Sequence, residues 1–377
     1  MSETHTVALA RPWFGEEEAA AVRRVLESGW VVQGPQVAAF EQAVGALHQM
    51  PHAVAVSSAT AGLHLVYLAL GIGPGDVVLV PSFAWPSAAN MAARVGAVPF
   101  FVDVDPRTYN LTSAALQQSL RLVRERGLGR PRAVVAVHEF GLPAPMDGIL
   151  ETANEAGLMV IEDAACALGA RHQGKFLGHF GRAAVFSFHP RKSVSTGEGG
   201  VVVTGEPGLA EAIRTLRNHG QEMHNGRREF STTGFNYRLT EIQAAIGIEQ
   251  LKRFPHILEA KRRLAAQYFN ELDGIGGLAL PAQSPEQTWQ TFMITLESEA
   301  LRSRVHEACR ASGIETGPGA VAGHAGALWG GQFLQPQDLC PISTRLATCG
   351  LALPLHAQLT PADLRHVSST IHKSMQK

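Results

Sequence analysis

The sequence predicts an α/β protein with a doubly wound, mostly parallel sheet, and three observations predict it. From residue 52 onward, short unbroken apolar runs such as HAVAV, VVLV, VPFFV, AVVAV and LMVI alternate with helix-like segments. Strands without polar alternation need cover on both faces, which is the condition of a parallel sheet between two layers of helices. The intervening segments place apolar residues at helical spacing, as Leu63, Val66, Tyr67 and Leu70 do within residues 59–72. Finally, 377 residues with 45% hydrophobic and 17% charged side chains supply a sizeable core and argue against disorder.

The elements follow in order. HAVAVSS reads as a strand and ATAGLHLVYLALGI as a helix, closed by the turn GPGD. VVLVPSF is a strand, SAANMAARVGA a helix, VPFFVDVD a strand and SAALQQSLRLVRERG a helix. RAVVAVHEF, PMDGILETANEAG and LMVIEDAA repeat the strand, helix and strand. AAVFSF and VVVTG are strands on either side of a Ser/Gly-rich connection, EPGLAEAIRTLRNHG reads as a helix and RREFSTTGFNYR as a polar loop. Residues 239–275 read as a helix, broken or kinked near Pro255, whose ring removes a helical hydrogen bond. The remainder holds a strand (WQTFMITL), a helix (SRVHEACRAS) and Gly/Pro-rich loops such as ETGPGAVAGHAGALWGG. These divide the chain into a large domain with an N-terminal arm, residues 1–250, and a smaller C-terminal α/β domain, residues 251–377.

Several function classes are disfavoured. Lys and Arg total 32 against 33 Asp and Glu, a formal net charge of -1, which leaves no electrostatic footprint for nucleic acid or an anionic membrane. Cys166, Cys309, Cys340 and Cys349 form no CxxC pair and read as reduced thiols, the last three as packed small apolar residues. MSETHTVALARPWFGEEEAA has neither a signal-peptide pattern nor a spanning stretch, so a soluble cytoplasmic protein is expected. No HExxH motif, P-loop or Gly-x-Ser-x-Gly elbow occurs, and no metal site is expected. GIGPGD follows a helix and precedes a strand, the wrong order for a dinucleotide loop.

Ligands of open parallel sheets bind beyond the carboxyl ends of the strands. After HAVAV come Ser57, Ser58, Ala59 and Thr60, which either cap a helix or offer its N-terminal amides to a phosphate. After VVLVP comes Trp85, core or a platform for a planar ligand. After LMVI come Asp163 and Cys166; a carboxylate there is costly to bury unless something cationic meets it. After AAVF come Ser187 and, in PRKSVSTGEGG, Lys192, otherwise a solvated turn lysine. A phosphate cradle, a ring platform, a carboxylate for a ring nitrogen and an amine, in strand order, are together the equipment of a pyridoxal 5'-phosphate site.

The motifs GWVVQGPQVAAFE, AVSSATAGLHLVYLALGIGPGDVV, PSFAWPSAANMAARVGAVPFFVDVDPRTYNLT, VHEFGLPAPMD, VIEDAACALGA, FSFHPRKSVSTGEGG, LRNHG, GFNYRLTEIQAAIG and, more faintly, LPLHAQLTP occur in this order. In them the chain resembles the DegT/DnrJ/EryC1/StrS pyridoxal-phosphate-dependent sugar aminotransferases, which have the aspartate-aminotransferase (type I) fold with a seven-stranded sheet. The resemblance is dense over residues 29–250 and thin beyond.

It implies that Lys192 bonds the cofactor, Asp163 pairs with its ring nitrogen, Trp85 stacks on the ring, and Ala59, Thr60 and Ser187 bind its phosphate. Asn236 or Arg238 would reach the phosphate of a neighbouring subunit, implying a homodimer with shared sites. Cys166 stands where the family carries Gln or His, beside the cofactor, and ETGPGAV departs from the family's more aromatic, His-containing stretch. His189 and His219 either touch substrate or are structural hydrogen-bonding residues, and Trp30 either lines the acceptor pocket or packs. SSATAG with Trp85 is similar to the branch that aminates the 4-keto position of nucleotide-linked sugars. The expected reaction moves an amino group from L-glutamate to such a keto-deoxy sugar, with Lys192 as base, for amino-sugar biosynthesis. The alternatives are a 3-keto sugar, a keto-cyclitol or a non-catalytic regulatory protein on this fold.

Overall fold

The structure is a computed structural model that describes residues 6–326 and 339–376. The chain begins with two helices, α1 (Glu16–Ser28) and α2 (Pro35–His48), and enters the sheet at β1 (His52–Val56). There follow α3 (Ala59–Ala69), β2 (Asp76–Pro81), the short β3 (Phe83–Ala84), α4 (Ser87–Arg94), β4 (Val98–Val102), α5 (Ser113–Glu125) and β5 (Arg130–Val137). Next come α6 (Met146–Ala156), β6 (Met159–Asp163), the two-residue strands β7 (Arg171–His172) and β8 (Lys175–Phe176), β9 (Ala184–Ser187), β10 (Gly200–Thr204) and α7 (Pro207–Arg217).

Seven of these strands form one sheet in the order β1-β10-β9-β6-β5-β2-β4. The pairs β9/β6, β6/β5, β5/β2 and β2/β4 are parallel, whereas β10 is antiparallel to both β1 and β9. The carboxyl ends of β1, β2, β5, β6 and β9 therefore share one edge, and β10 starts there, at Gly200. The sheet is the mostly parallel one expected, and Leu63, Val66, Tyr67 and Leu70 of α3 lie in the core on one of its faces. Phe40, Phe186 and Phe188 belong to the core on the other.

Two segments differ from expectation. The start of the polar loop is the strand β12 (Arg227–Phe230), which pairs with β11 (Gln221–His224) just before it in an exposed hairpin. Asn225 and Gly226 between them have φ of 50° and 75°, the left-handed pair that a two-residue hairpin turn needs. Helix α8 (Glu241–Leu272) runs unbroken through Pro255. Its Ala244 and Phe254 pack with the large sheet's core and its Leu264, Ala265 and Tyr268 with a second one, so tertiary burial on both sides offsets the hydrogen bond lost at proline.

That second core covers a three-stranded antiparallel sheet. It comprises β13 (Leu278–Ala279), β14 (Phe292–Leu296) and, after α9 (Glu299–Ala311), β15 (Val321–Ala322) and α10 (Pro341–Cys349), the strand β16 (Gly350–Leu353). β15 pairs with β3, and α11 (Pro361–Met375) closes the chain. Residue 250 lies within α8. The residues ALWGG of the Gly/Pro-rich loop fall outside the described residues. Cys309, Cys340 and Cys349 are buried and form no disulfide among the described residues.

Candidate active site

The shared strand edge brings most of the expected site residues together. Ser58 is the N-cap of α3, its side chain accepting from the Ala61 amide at 3.1 Å, so the capping reading holds for it. The amides of Ala59 and Thr60 have no acceptor among the described residues, as the first turn of a helix dictates. Gly200 keeps this helix start tight against the sheet, since a Cβ on it would lie 2.6 Å from the Ala59 nitrogen. Gly200 is paired with Ser187, which sets the serine beside the same amides. Thr60 Oγ1 donates to Ser87 Oγ at 3.2 Å, tying α3 to α4, which begins just after Trp85. Trp85 is 68% exposed, so the core reading fails for it.

Strand β6 sends neighbouring carboxylates to opposite duties. Glu162 accepts from the amides of Gly178, Phe180 and Gly181 and faces His138 Nε2 at 3.3 Å. Burial opposes its charge, yet these partners hold it below the ordinary carboxylate range. Asp163, one residue on, points the other way. Its Oδ1 accepts from Ala165 N at 3.1 Å, and Oδ2 has no hydrogen bond among the described residues. Burial pushes its pKa up, against the Ala165 bond and the nearby Lys192 charge.

The Lys192 amine donates to Cys166 Sγ at 3.0 Å, its one hydrogen-bond partner among the described residues. A thiol is a weak acceptor, so the amine is held in place and left available. Burial works against its charge, but Cys166, Glu139 and Asp163 raise it above the ordinary lysine value. Cys166 itself is pushed up by burial and is a thiol at neutral pH.

Sequence reasoning missed two groups here. Glu139, after β5, is buried beside Lys192 and Asp163, and burial lifts it to about 8, so it is neutral at pH 7. Lys261 of α8 is 3% exposed and donates to Ser193 Oγ at 3.0 Å. Burial and the Lys192 charge bring it down to about 7. It lies in the apolar stripe of α8, four residues after Ile257 and three before Leu264; a lysine interrupting that stripe was the available signal.

The remaining candidates lie at the rim. Asn236 is exposed, and Arg238 Nη1 donates to Asn218 Oδ1 at 2.7 Å. Their segment is bound to the start of α3 by Ser57 N, which donates to Tyr237 O at 2.9 Å. His189 Nδ1 accepts from Arg191 N at 3.2 Å, and burial lowers its pKa. His219 is exposed with φ of 62°, and Trp30 is 58% exposed with its indole donating to Gln33 O. Free amides, an open carboxylate oxygen, an exposed ring and a lightly bonded amine fit pyridoxal 5'-phosphate as a donor set.

The model of the DegT/DnrJ/EryC1/StrS aminotransferase family matches residues 12–372. Among solved structures, the aminotransferase TlmJ of Streptoalloteichus hindustanus is similar at 31% identity and TM-score 0.90, with 99% of each chain covered. A DegT DnrJ EryC1 StrS aminotransferase from Brucella abortus is similar at 31% and 0.90, with 96% of each covered. DesV of S. venezuelae is similar at 32% and 0.88, with 98% of this chain and 100% of that one covered.

Proposed function

Because the chain belongs to the DegT/DnrJ/EryC1/StrS family of pyridoxal-phosphate-dependent sugar aminotransferases, we propose that it moves an amino group from L-glutamate to the C4 keto group of a nucleotide-linked keto-deoxy sugar. The observation that carries this reading is the Lys192 amine, held by the Cys166 sulfur at the strand edge beside Asp163. Ala59, Thr60 and Ser187 would hold the cofactor phosphate, Trp85 would cover the ring, and Asp163 would pair with the ring nitrogen. When bound, the cofactor draws electrons from the donor's α-carbon and so weakens its C–H bond. Lys192 Nζ removes that proton and, in the second half-reaction, delivers one to the sugar carbon being aminated. The donor leaves as its keto acid and the sugar as an amine, so atoms and electrons balance. Cys166 keeps the Lys192 amine in line.

Trp30, His189 and His219 belong to the acceptor side. Val31, Val32, Met223 and Phe230 are exposed near these rims, which supports a homodimer in which Asn236 or Arg238 reaches the partner copy's phosphate. We divide the large and small domains at residues 250 and 251, and the unbonded cysteines support a cytoplasmic setting. No described helix is long and apolar enough to cross a membrane.

The test is an absorbance spectrum of the purified holoenzyme with and without L-glutamate, then borohydride trapping and peptide mapping. Acceptors follow as a panel of nucleotide-linked 4-keto sugars, 3-keto sugars and keto-cyclitols. The expected result is a spectrum changed by L-glutamate, the cofactor trapped on Lys192 and turnover with a 4-keto sugar. A trap on Lys261 instead would overturn the assignment of Lys192.

A further inference from the structure

Lys192 lies in a segment without a regular element of its own. Between Phe188 and Thr196 the backbone is tied to itself by Lys192 N on His189 O at 2.8 Å and Thr196 N on Phe188 O at 2.9 Å. The two chain neighbours of Lys192 are held from elsewhere. Arg191 O accepts from Gln290 Nε2 at 3.1 Å, and Ser193 Oγ accepts from Lys261 Nζ at 3.0 Å. The same Lys261 amine lies 3.5 Å from Gln290 O, which joins the two holds into one clamp. Lys261 is three residues before Leu264 in α8, and Gln290 follows Trp289. Leu264 and Trp289 belong to the core on the three-stranded sheet rather than to that of the large sheet.

Neither hold is an economical way to stabilise a fold. Gln290 is delivered by a strained bridge, in which Phe140 and Trp289 have φ of 54° and 50°, left-handed values that bulky side chains disfavour. Across it Gln290 N donates to Phe140 O at 2.9 Å and Thr288 N to Gly141 O at 3.0 Å. Gly141 lets the bridge pass close to Cys166, since a Cβ on it would lie 3.0 Å from Cys166 O. Lys261 is 3% exposed, and among the described residues its amine donates only to neutral oxygens. A buried ammonium without a counter-charge is costly, and burial with the Lys192 charge brings Lys261 down to about 7. A methionine there would continue the apolar stripe of α8 and avoid that cost, so stability does not account for the lysine.

We propose that Lys261 and Gln290 are positioning residues, which set where the Lys192 amine stands by fastening Ser193 and Arg191 on either side of it to the second core. The inference rests on the reading of Lys192 as the cofactor-bonding base. The amine ends a flexible four-carbon stem, and its described partner, Cys166 Sγ, is a weak acceptor. The root of the stem therefore has to be fixed by other groups. Reaction needs the atoms about 3–3.5 Å apart, and a displacement of about 1 Å costs on the order of a hundredfold in rate.

The test compares Lys261→Met, Ser193→Ala and Gln290→Met with wild type. The first half-reaction of the holoenzyme is followed by stopped-flow absorbance with L-glutamate and with L-glutamate deuterated at the α-carbon. The limiting rate should fall about tenfold to a hundredfold, the isotope effect should not decrease, and the half-saturating donor concentration should change little. Lys261→Met and Ser193→Ala cut one bond from its two ends, so the double variant should be no slower than the slower single one. In the apoenzyme, hydrogen exchange of the peptide spanning residues 189–196 should quicken by up to about tenfold, the worth of one hydrogen bond. Ser193→Ala is a small truncation and keeps the test valid if Lys261→Met does not fold. A raised half-saturating concentration with an unchanged limiting rate would make Lys261 a donor contact and overturn the clamp. Rates that fall only where the melting temperature falls would make the contacts purely structural and overturn it too. Unchanged rate and exchange in folded variants, with the cofactor still trapped on Lys192, overturns the inference alone. A trap on another lysine overturns the reading of Lys192 and the inference with it.

Discussion

Gly200→Ala is the sharpest probe of how the fold builds the proposed phosphate cradle. Gly200 opens the one antiparallel strand of the sheet and is paired on one side with Val56 and on the other with Ser187. A Cβ there would stand 2.6 Å from Ala59 N, 2.6 Å from Ser58 C and 2.7 Å from Ser58 O, where ordinary contact begins at 3.4 Å. All three are backbone atoms, so no rotamer change relieves the overlap. Either β10 leaves its register or the start of α3 lifts from the sheet. Overpacking of this kind costs about 1–3 kcal/mol. Lifting α3 also turns the Ala59 and Thr60 amides away from the phosphate, and one charge-assisted bond lost weakens cofactor binding about tenfold or more. The assay is a thermal melt of apoenzyme and holoenzyme with a spectroscopic cofactor titration. Gly208→Ala is the control, since a Cβ there meets nothing within 4 Å and the position is helical. Wild-type melting and affinity in Gly200→Ala would refute the claim that backbone approach at this glycine shapes the cradle.

Other changes test the chemistry. Lys192→Ala should abolish turnover with an unchanged melting temperature; residual turnover at the wild-type rate would remove Lys192 from the mechanism. Burial opposes the Lys192 charge while Cys166, Glu139 and Asp163 raise it, so Cys166→Ala should lower its pKa. The rate at which apoenzyme combines with pyridoxal phosphate should then reach its plateau at lower pH than in wild type, and a shift to higher pH would contradict the argument. Glu139 has a folded pKa of about 8 against an ordinary 4.5, so the native state holds a proton that the unfolded state has lost between those values. Its stabilising contribution is complete below about 4.5 and is lost as pH rises to about 8. Glu139→Gln should be more stable than wild type by a margin that grows across that window in denaturant titrations, and a margin independent of pH would disprove it.

The large sheet was readable in the sequence because its strands are covered on both faces, and runs such as VVLV and VPFF have no other stable fate. The edge on which ligands bind followed from strand order, so Ala59, Asp163, Ser187 and Lys192 could be singled out before any coordinates. The hairpin β11–β12 was not readable, because its exposed residues carry no apolar period and only Asn225-Gly226 marks the turn. The continuity of α8 through Pro255 was not readable, since a single proline weakens a helix locally while the two cores that hold α8 lie on either side of it in the chain.

Glu139 and Lys261 show a different kind of limit. Lys261 left one trace, a lysine inside the apolar stripe of α8, and Glu139 left none beyond its place after β5; what distinguishes both is burial beside Lys192, which only tertiary structure creates. Both groups respond to that burial by moving toward neutrality at pH 7, the carboxyl upward and the amine downward, as the low-dielectric interior requires. Around one lysine the fold has therefore set a carboxyl that is neutral at pH 7, a thiol and a second amine that loses its proton near pH 7. Asp163 is pushed up by the same burial, but unlike Glu139 it keeps a backbone amide, Ala165 N, on one oxygen and the Lys192 charge nearby, and both favour its ionised form, which is the form the proposed contact with a ring nitrogen would use.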